Sequence, residues 1–165
     1  MAPKLAILAR AAEALEHPEE AETPLDLSHL NAIVGYPLRR AQIALFEDFA
    51  RRFAQLGLTP AQYSTLSTIG DNSGRNQSEI ASALGILRPN FVAMMDELER
   101  RGLAARARSG ADRRSNALAL TPAGRTLLAR ARVVQREQEA AIDDLIGREQ
   151  RQALIKMLRK LATLA

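Results

Sequence analysis

The sequence predicts a mainly helical chain carrying one small β-hairpin, and three observations support that prediction. Apolar residues recur at helical spacing through most of the chain. Gly and Pro fall at the ends of those stretches rather than inside them. Strand-like alternation occurs only over residues 104–120, around a loop rich in Ser, Gly, Asp and Arg. With 165 residues, 47% of them hydrophobic and 25% charged, the chain is long enough to bury one ordinary core.

Taken in order, residues 2–16 place Leu5, Leu8, Ala12 and Leu15 at helical spacing until His17-Pro18 stops the pattern, and the following EEAETPLD is acidic. Residues 1–30 therefore read as an amphipathic arm and acidic linker, and 31–165 as the folded domain. Pro37 suits the first turn of a long helix that Gly57 ends. Its stripe of Phe46, Phe49 and Phe53 is too broad for one neighbour to cover. Thr59-Pro60 opens a second helix through Ile69, and DNSGRN is a loop dense in turn formers.

Asn76 and Glu79 have the spacing of a capping box at the start of QSEIASAL, a short helix that ends at Gly85. Three residues later Pro89 opens PNFVAMMDELERR, which Gly102 ends. A short helix, a tight turn with Gly and a second helix make a helix-turn-helix. Strands over 104–108 and 117–120 follow, so the lobe over 59–121 is a winged helix. Thr121-Pro122 caps a long helix to about Ile146, and Gly147 separates it from a last helix over 148–164. Leu127, Ala131, Val134, Ala141 and Leu145, with Leu154, Leu158 and Leu161 beyond, give apolar seams that a lone wing lobe does not need. Residues 31–57 and 122–165 are therefore read as dimerisation helices, and the expected partner is a second copy.

Composition excludes several classes. No Cys is present, so there is no disulfide framework, thiolate nucleophile or thiolate metal site. The only histidines, His17 and His29, lie in the acidic leader, away from other candidate chemistry, so no enzyme, cofactor or metal is expected. No apolar run reaches the roughly 18 residues that cross a bilayer, so the expectation is a soluble cytoplasmic protein without a membrane partner. The formal charge of +4 is unevenly placed, because the first 30 residues hold 2 basic and 6 acidic groups and the rest carries +8. Twenty of the 23 basic residues are Arg, a planar donor fork suited to phosphate and guanine. The basic body points to a polyanionic partner, against the plainer reading of solvated helix faces.

The run Leu84-Gly85-Ile86 through Arg88-Pro89, the block from Met95 to Leu103, then Asp112-Arg113-Arg114 and Leu120 to Arg125, in this order and spacing, resemble the MarR family of bacterial winged-helix transcription regulators. The likeness covers residues 32–164. It implies a homodimer with interlocking first and last helices, a recognition helix over residues 89–101 in the major groove of double-stranded DNA, and a hairpin tip in the minor groove. It also implies a small-molecule site between the dimer helices and the DNA-binding lobe. The chain departs from many relatives in having Leu87, Asn90 and Phe91 where small hydroxyl residues begin the recognition helix.

On that frame Arg88 and Asn90, with Pro89 between them, lie at the helix end that meets base edges. Arg suits guanine and Asn adenine, at about 1–3 kcal/mol of discrimination each. The alternative is that Arg88 touches phosphate and Asn90 bonds its own backbone. Phe91, Met94, Met95 and Leu98 read as core, with Met94 open to a thymine methyl. Asn76, Gln77 and Ser78 are expected phosphate contacts because free N–H groups collect at that helix start. Arg106 and Arg108 are expected to add phosphates. The resemblance assigns Arg114 to the minor groove with Asp112 as its brace and Arg113 between them, against a plain charged turn.

Five of the six aromatics, Tyr36, Phe46, Phe49, Phe53 and Tyr63, fall within 28 residues. Arg39, Ile43, Phe46 and Phe53 share a helical face, which would set a guanidinium, with Arg40 beside it, against an aromatic wall suited to a ring with a carboxylate or phosphate. Core packing is the plainer account of the phenylalanines. The stretches GYPLRRAQIALFEDFARRF and LRPNFVAMMDELE also look like family members that sense aromatic acids or their CoA thioesters. The expected function is a ligand-released repressor on a palindromic operator. The rivals are a ligand-independent architectural DNA-binding protein and a helical adaptor.

Overall fold

A computed structural model describes residues 24–108 and 116–164; the arm expected over residues 2–16 lies outside them, as do Asp112, Arg113 and Arg114. The chain divides into two units, residues 1–40 and 41–165. The first holds α1 (Ser28–Asn31), a single turn that the periodicity does not predict, and the opening of α2 (Gly35–Phe53). Leu30, Ile33, Val34 and Leu38 are exposed there and Tyr36 is half-buried.

In the second unit α2 runs on to Phe53 and gives way to a 3-10 turn, Ala54–Leu56. Phe49 and Phe53, one helical turn apart, stack with ring centroids 3.7 Å apart, and Phe53 meets the edge of Tyr63 at 5.4 Å. Tyr63 sits on α3 (Pro60–Asp71), which starts as the sequence predicts: the Thr59 hydroxyl accepts from the Gln62 N–H and the Gln62 side chain accepts from the Thr59 N–H. α4 (Gln77–Ala83) and α5 (Arg88–Arg100) form the helix-turn-helix, followed by β1 (Ala104–Arg108) and β2 (Asn116–Leu120), then α6 (Pro122–Ile146) and α7 (Arg148–Leu161). A last 3-10 turn, Ala162–Leu164, ends the run expected to be helical throughout.

The core gathers around α5. Phe91, Met95 and Leu98, at i, i+4 and i+7, are wholly buried, as are Leu66 and Ile69 of α3 and Leu118 of β2. Each such side chain contributes roughly 1.5–3 kcal/mol of burial. Met94 packs half-buried at the edge of this cluster and its sulfur accepts the Thr65 hydroxyl at 3.7 Å, so it serves the core rather than a base.

The wing is antiparallel, with Ala104 opposite Leu120 and Arg106 opposite Leu118. The loop before α4 adds a third rung, where the Gly74 N–H donates to the Leu118 carbonyl and the Leu118 N–H to the Arg75 carbonyl, both at 2.9 Å. This rung couples the hairpin to the helix-turn-helix.

Arg151 of α7 reaches back across Gly147 to Asp143 at 2.5 Å and Glu139 at 2.8 Å on α6. α7 buries none of its residues, and Leu154, Met157, Leu158 and Leu161 are exposed along it. Among the described residues no helix is long and apolar enough to cross a membrane.

Candidate nucleic-acid interface

The start of α4 is built by its own side chains. The Asn76 side-chain oxygen accepts the Glu79 N–H at 2.9 Å, and Glu79 accepts the Asn76 N–H at 2.9 Å. The oxygen of Asn76 is thus occupied in capping, while Ser78 is exposed on the first turn. Gly85 turns the chain at φ +64°, a backbone conformation that side chains with a Cβ rarely adopt.

α5 then begins with Leu87 at the cap position, where no side-chain hydrogen bond is made. Arg88, Pro89 and Asn90 are exposed beside it. Leu87 is 73% exposed and, among the described residues, is the one large hydrophobic residue left exposed between Phe46 and Val133. Sequence reasoning noted Leu87 only as a departure from relatives. The available signal was the missing polar cap before Pro89, since Ser, Thr, Asp or Asn normally stands there.

The sequence alone points Arg106 at phosphate, but its guanidinium is engaged inside the lobe. Its guanidinium donates to Gln77 Oε1 at 3.0 Å, to Asp96 at 2.7 Å, to Glu99, and to the Val92 carbonyl at 3.4 Å. Gln77 is likewise drawn inward by that bond. The reason is proximity: alternation on β1 turns residue 106 toward the carboxylates of α5. Arg108 ends β1.

A separate cavity of about 390 Å³ lies between three helices. Leu45, Phe46 and Phe49 of α2 form one wall, Pro60, Tyr63 and Ser64 of α3 another, and Gln135, Gln138, Glu139 and Ile142 of α6 the third. Gln138 is buried and donates to Asp48 at 3.1 Å and to the Leu45 carbonyl at 3.3 Å. The Arg52 hydrogen bond holds the Asp48 carboxyl below its ordinary value, with Gln138 assisting. Burial pushes the Tyr63 phenol up from its ordinary value.

Of the residues expected to hold a ligand, the cavity takes in Phe46, Phe49 and Tyr63. Among the described residues the lining includes neither Tyr36, Arg39, Arg40, Ile43 nor Phe53, and no Lys or Arg. Arg39, Arg40 and Ile43 are exposed, and Phe53 is spent in the core at 1% exposure. The expected guanidinium beside an aromatic wall is therefore replaced by side-chain amides and the Glu139 carboxylate. Sequence reasoning missed these α6 residues, whose signal was polar side chains interrupting the seam between Val134 and Ala141.

The profile of the MarR family matches residues 56–115. A protein of Thauera aromatica, named as a transcriptional regulatory protein for the hcr operon, is 36% identical over 129 residues, covering 78% of each chain. The transcriptional repressor CouR bound to a 23-mer DNA duplex superposes with a TM-score of 0.82 at 50% identity, over 85% of this chain and 99% of that one. CouR bound to p-coumaroyl-CoA gives 0.78 at 49% identity, over 84% and 98%.

Proposed function

The chain belongs to the MarR family, and from that premise we propose that it is a homodimeric, sequence-specific transcriptional repressor released from a palindromic operator by an aromatic acyl-CoA. The observation that carries the reading is the presence, in one chain, of an exposed recognition-helix start and a separate ligand-sized cavity between α2, α3 and α6. A relative of this fold at about half identity binds DNA in one structure and p-coumaroyl-CoA in another.

The cavity chemistry favours the thioester over the free acid. A buried carboxylate needs a cation or several donors, and the lining offers Glu139 instead of a basic group. A thioester carries no charge at that point, and a ring hydroxyl finds acceptors in Gln135, Gln138 and Glu139. The exposed leucines of α7 supply the apolar face on which a second copy packs. The protein acts in the cytoplasm, where its DNA lies.

In the dimer, two recognition helices must stand about 34 Å apart to enter successive major grooves. A ligand that binds better to a dimer of another spacing releases DNA, and a coupling of about 1–3 kcal/mol gives a 5- to 150-fold change. A gel shift of the promoter fragment upstream of its own gene against a scrambled duplex of equal length tests the reading. Strong preference for the promoter fragment is expected, whereas equal binding indicates an architectural protein and overturns it.

A further inference from the structure

Among the described residues of the lobe, Arg106 makes the largest set of side-chain hydrogen bonds. Four of its five N–H donors are used by Gln77, Asp96, Glu99 and the Val92 carbonyl, while its backbone N–H donates to Glu99 at 2.7 Å. One side chain on β1 therefore ties the wing to α5 and to the start of α4. Only 19% of it is exposed, against 61% of Asp96 and 30% of Glu99.

Those two carboxylates lie on the helix expected to enter a groove walled by phosphates. Left unpaired, they would repel the duplex; turned toward one guanidinium, their combined charge is halved and the angle between helix and wing is fixed. Lys could supply the charge but not the planar fork that reaches two helices at once.

We infer that Arg106 is a positioning residue: it sets the wing against the recognition helix and masks Asp96 and Glu99, raising DNA affinity without contacting phosphate. The inference rests on the regulator reading above. Its test separates the two.

Wild type, R106Q, and R106Q combined with D96N and E99Q are compared by fluorescence anisotropy across a salt series, on the duplex that the wild type selects from a random pool. Amide exchange of the wing is followed in the same proteins without DNA. R106Q is expected to lose about tenfold or more in affinity with its salt slope unchanged, to exchange its wing amides faster, and to regain most of its affinity in the triple variant. A salt slope reduced by about 1 per protomer, as for a lost phosphate contact, overturns the inference, as does unchanged wing exchange or a triple variant no tighter than R106Q. If R106Q loses its cooperative melt, R106K gives the same test, with faster wing exchange expected at an unchanged slope. Failure of the wild type to select any duplex overturns the regulator reading itself, a result distinct from any of the variants' outcomes.

Discussion

Gly124, in the first turn of α6, lies so close to Leu103 that a Cβ at position 124 would fall 1.8 Å from the Leu103 carbonyl oxygen. The contact is prepared by Thr121, whose hydroxyl donates to the Gly102 carbonyl at 2.6 Å and accepts the Gly124 N–H at 3.0 Å. This knot joins the end of the helix-turn-helix to the start of the long helix α6. G124A forces backbone apart, which commonly costs about 1–3 kcal/mol or more. A melting temperature lowered by about 2–12 °C is expected, and an unchanged one would refute the close approach.

The uncapped start of α5 gives a second prediction. L87S supplies the missing hydroxyl acceptor, worth about 0.5–2 kcal/mol of helix stability, while removing an exposed apolar side chain suited to thymine methyls. The variant should melt higher and hold its selected duplex less tightly. A variant that melts no higher contradicts the cap argument, and one that binds equally well contradicts a groove position for Leu87.

The link across Gly147 predicts a pH dependence. The hydrogen bond from Arg151 holds the Asp143 carboxyl below its ordinary 3.8. A depressed folded value means that the pair stabilises the protein above the unfolded value and loses that contribution as pH falls through the folded one. D143N should therefore melt below the wild type at neutral pH, and the two curves should converge in acid. A gap that is as wide in strong acid as at neutral pH would contradict the assignment.

Much of this fold was legible because its helix ends are written in short-range chemistry. Thr59-Pro60, Thr121-Pro122 and the Asn76 to Glu79 capping box set their boundaries locally, and each appears where the sequence places it. Long-range choices were not legible. Arg106 meets acids seven and ten residues earlier only because the turn at Gly102 folds β1 back along α5. The three phenylalanines share one periodicity, yet Phe49 and Phe53 enter the core and Phe46 stays half exposed, because the packing partner, α3, covers only one end of the stripe. The α6 side of the cavity was hidden for the same reason: Gln138 meets α2 across some ninety residues of chain.

Ligand-driven release tests the central claim most directly. The wild-type protein is bound to its selected duplex at fixed salt and titrated with p-coumaroyl-CoA, or with free p-coumarate, while fluorescence anisotropy reports the bound fraction. Release by the thioester at concentrations where the free acid leaves the complex intact is the predicted result. A complex that persists under both ligands, or that dissolves equally with the free acid, would contradict the account.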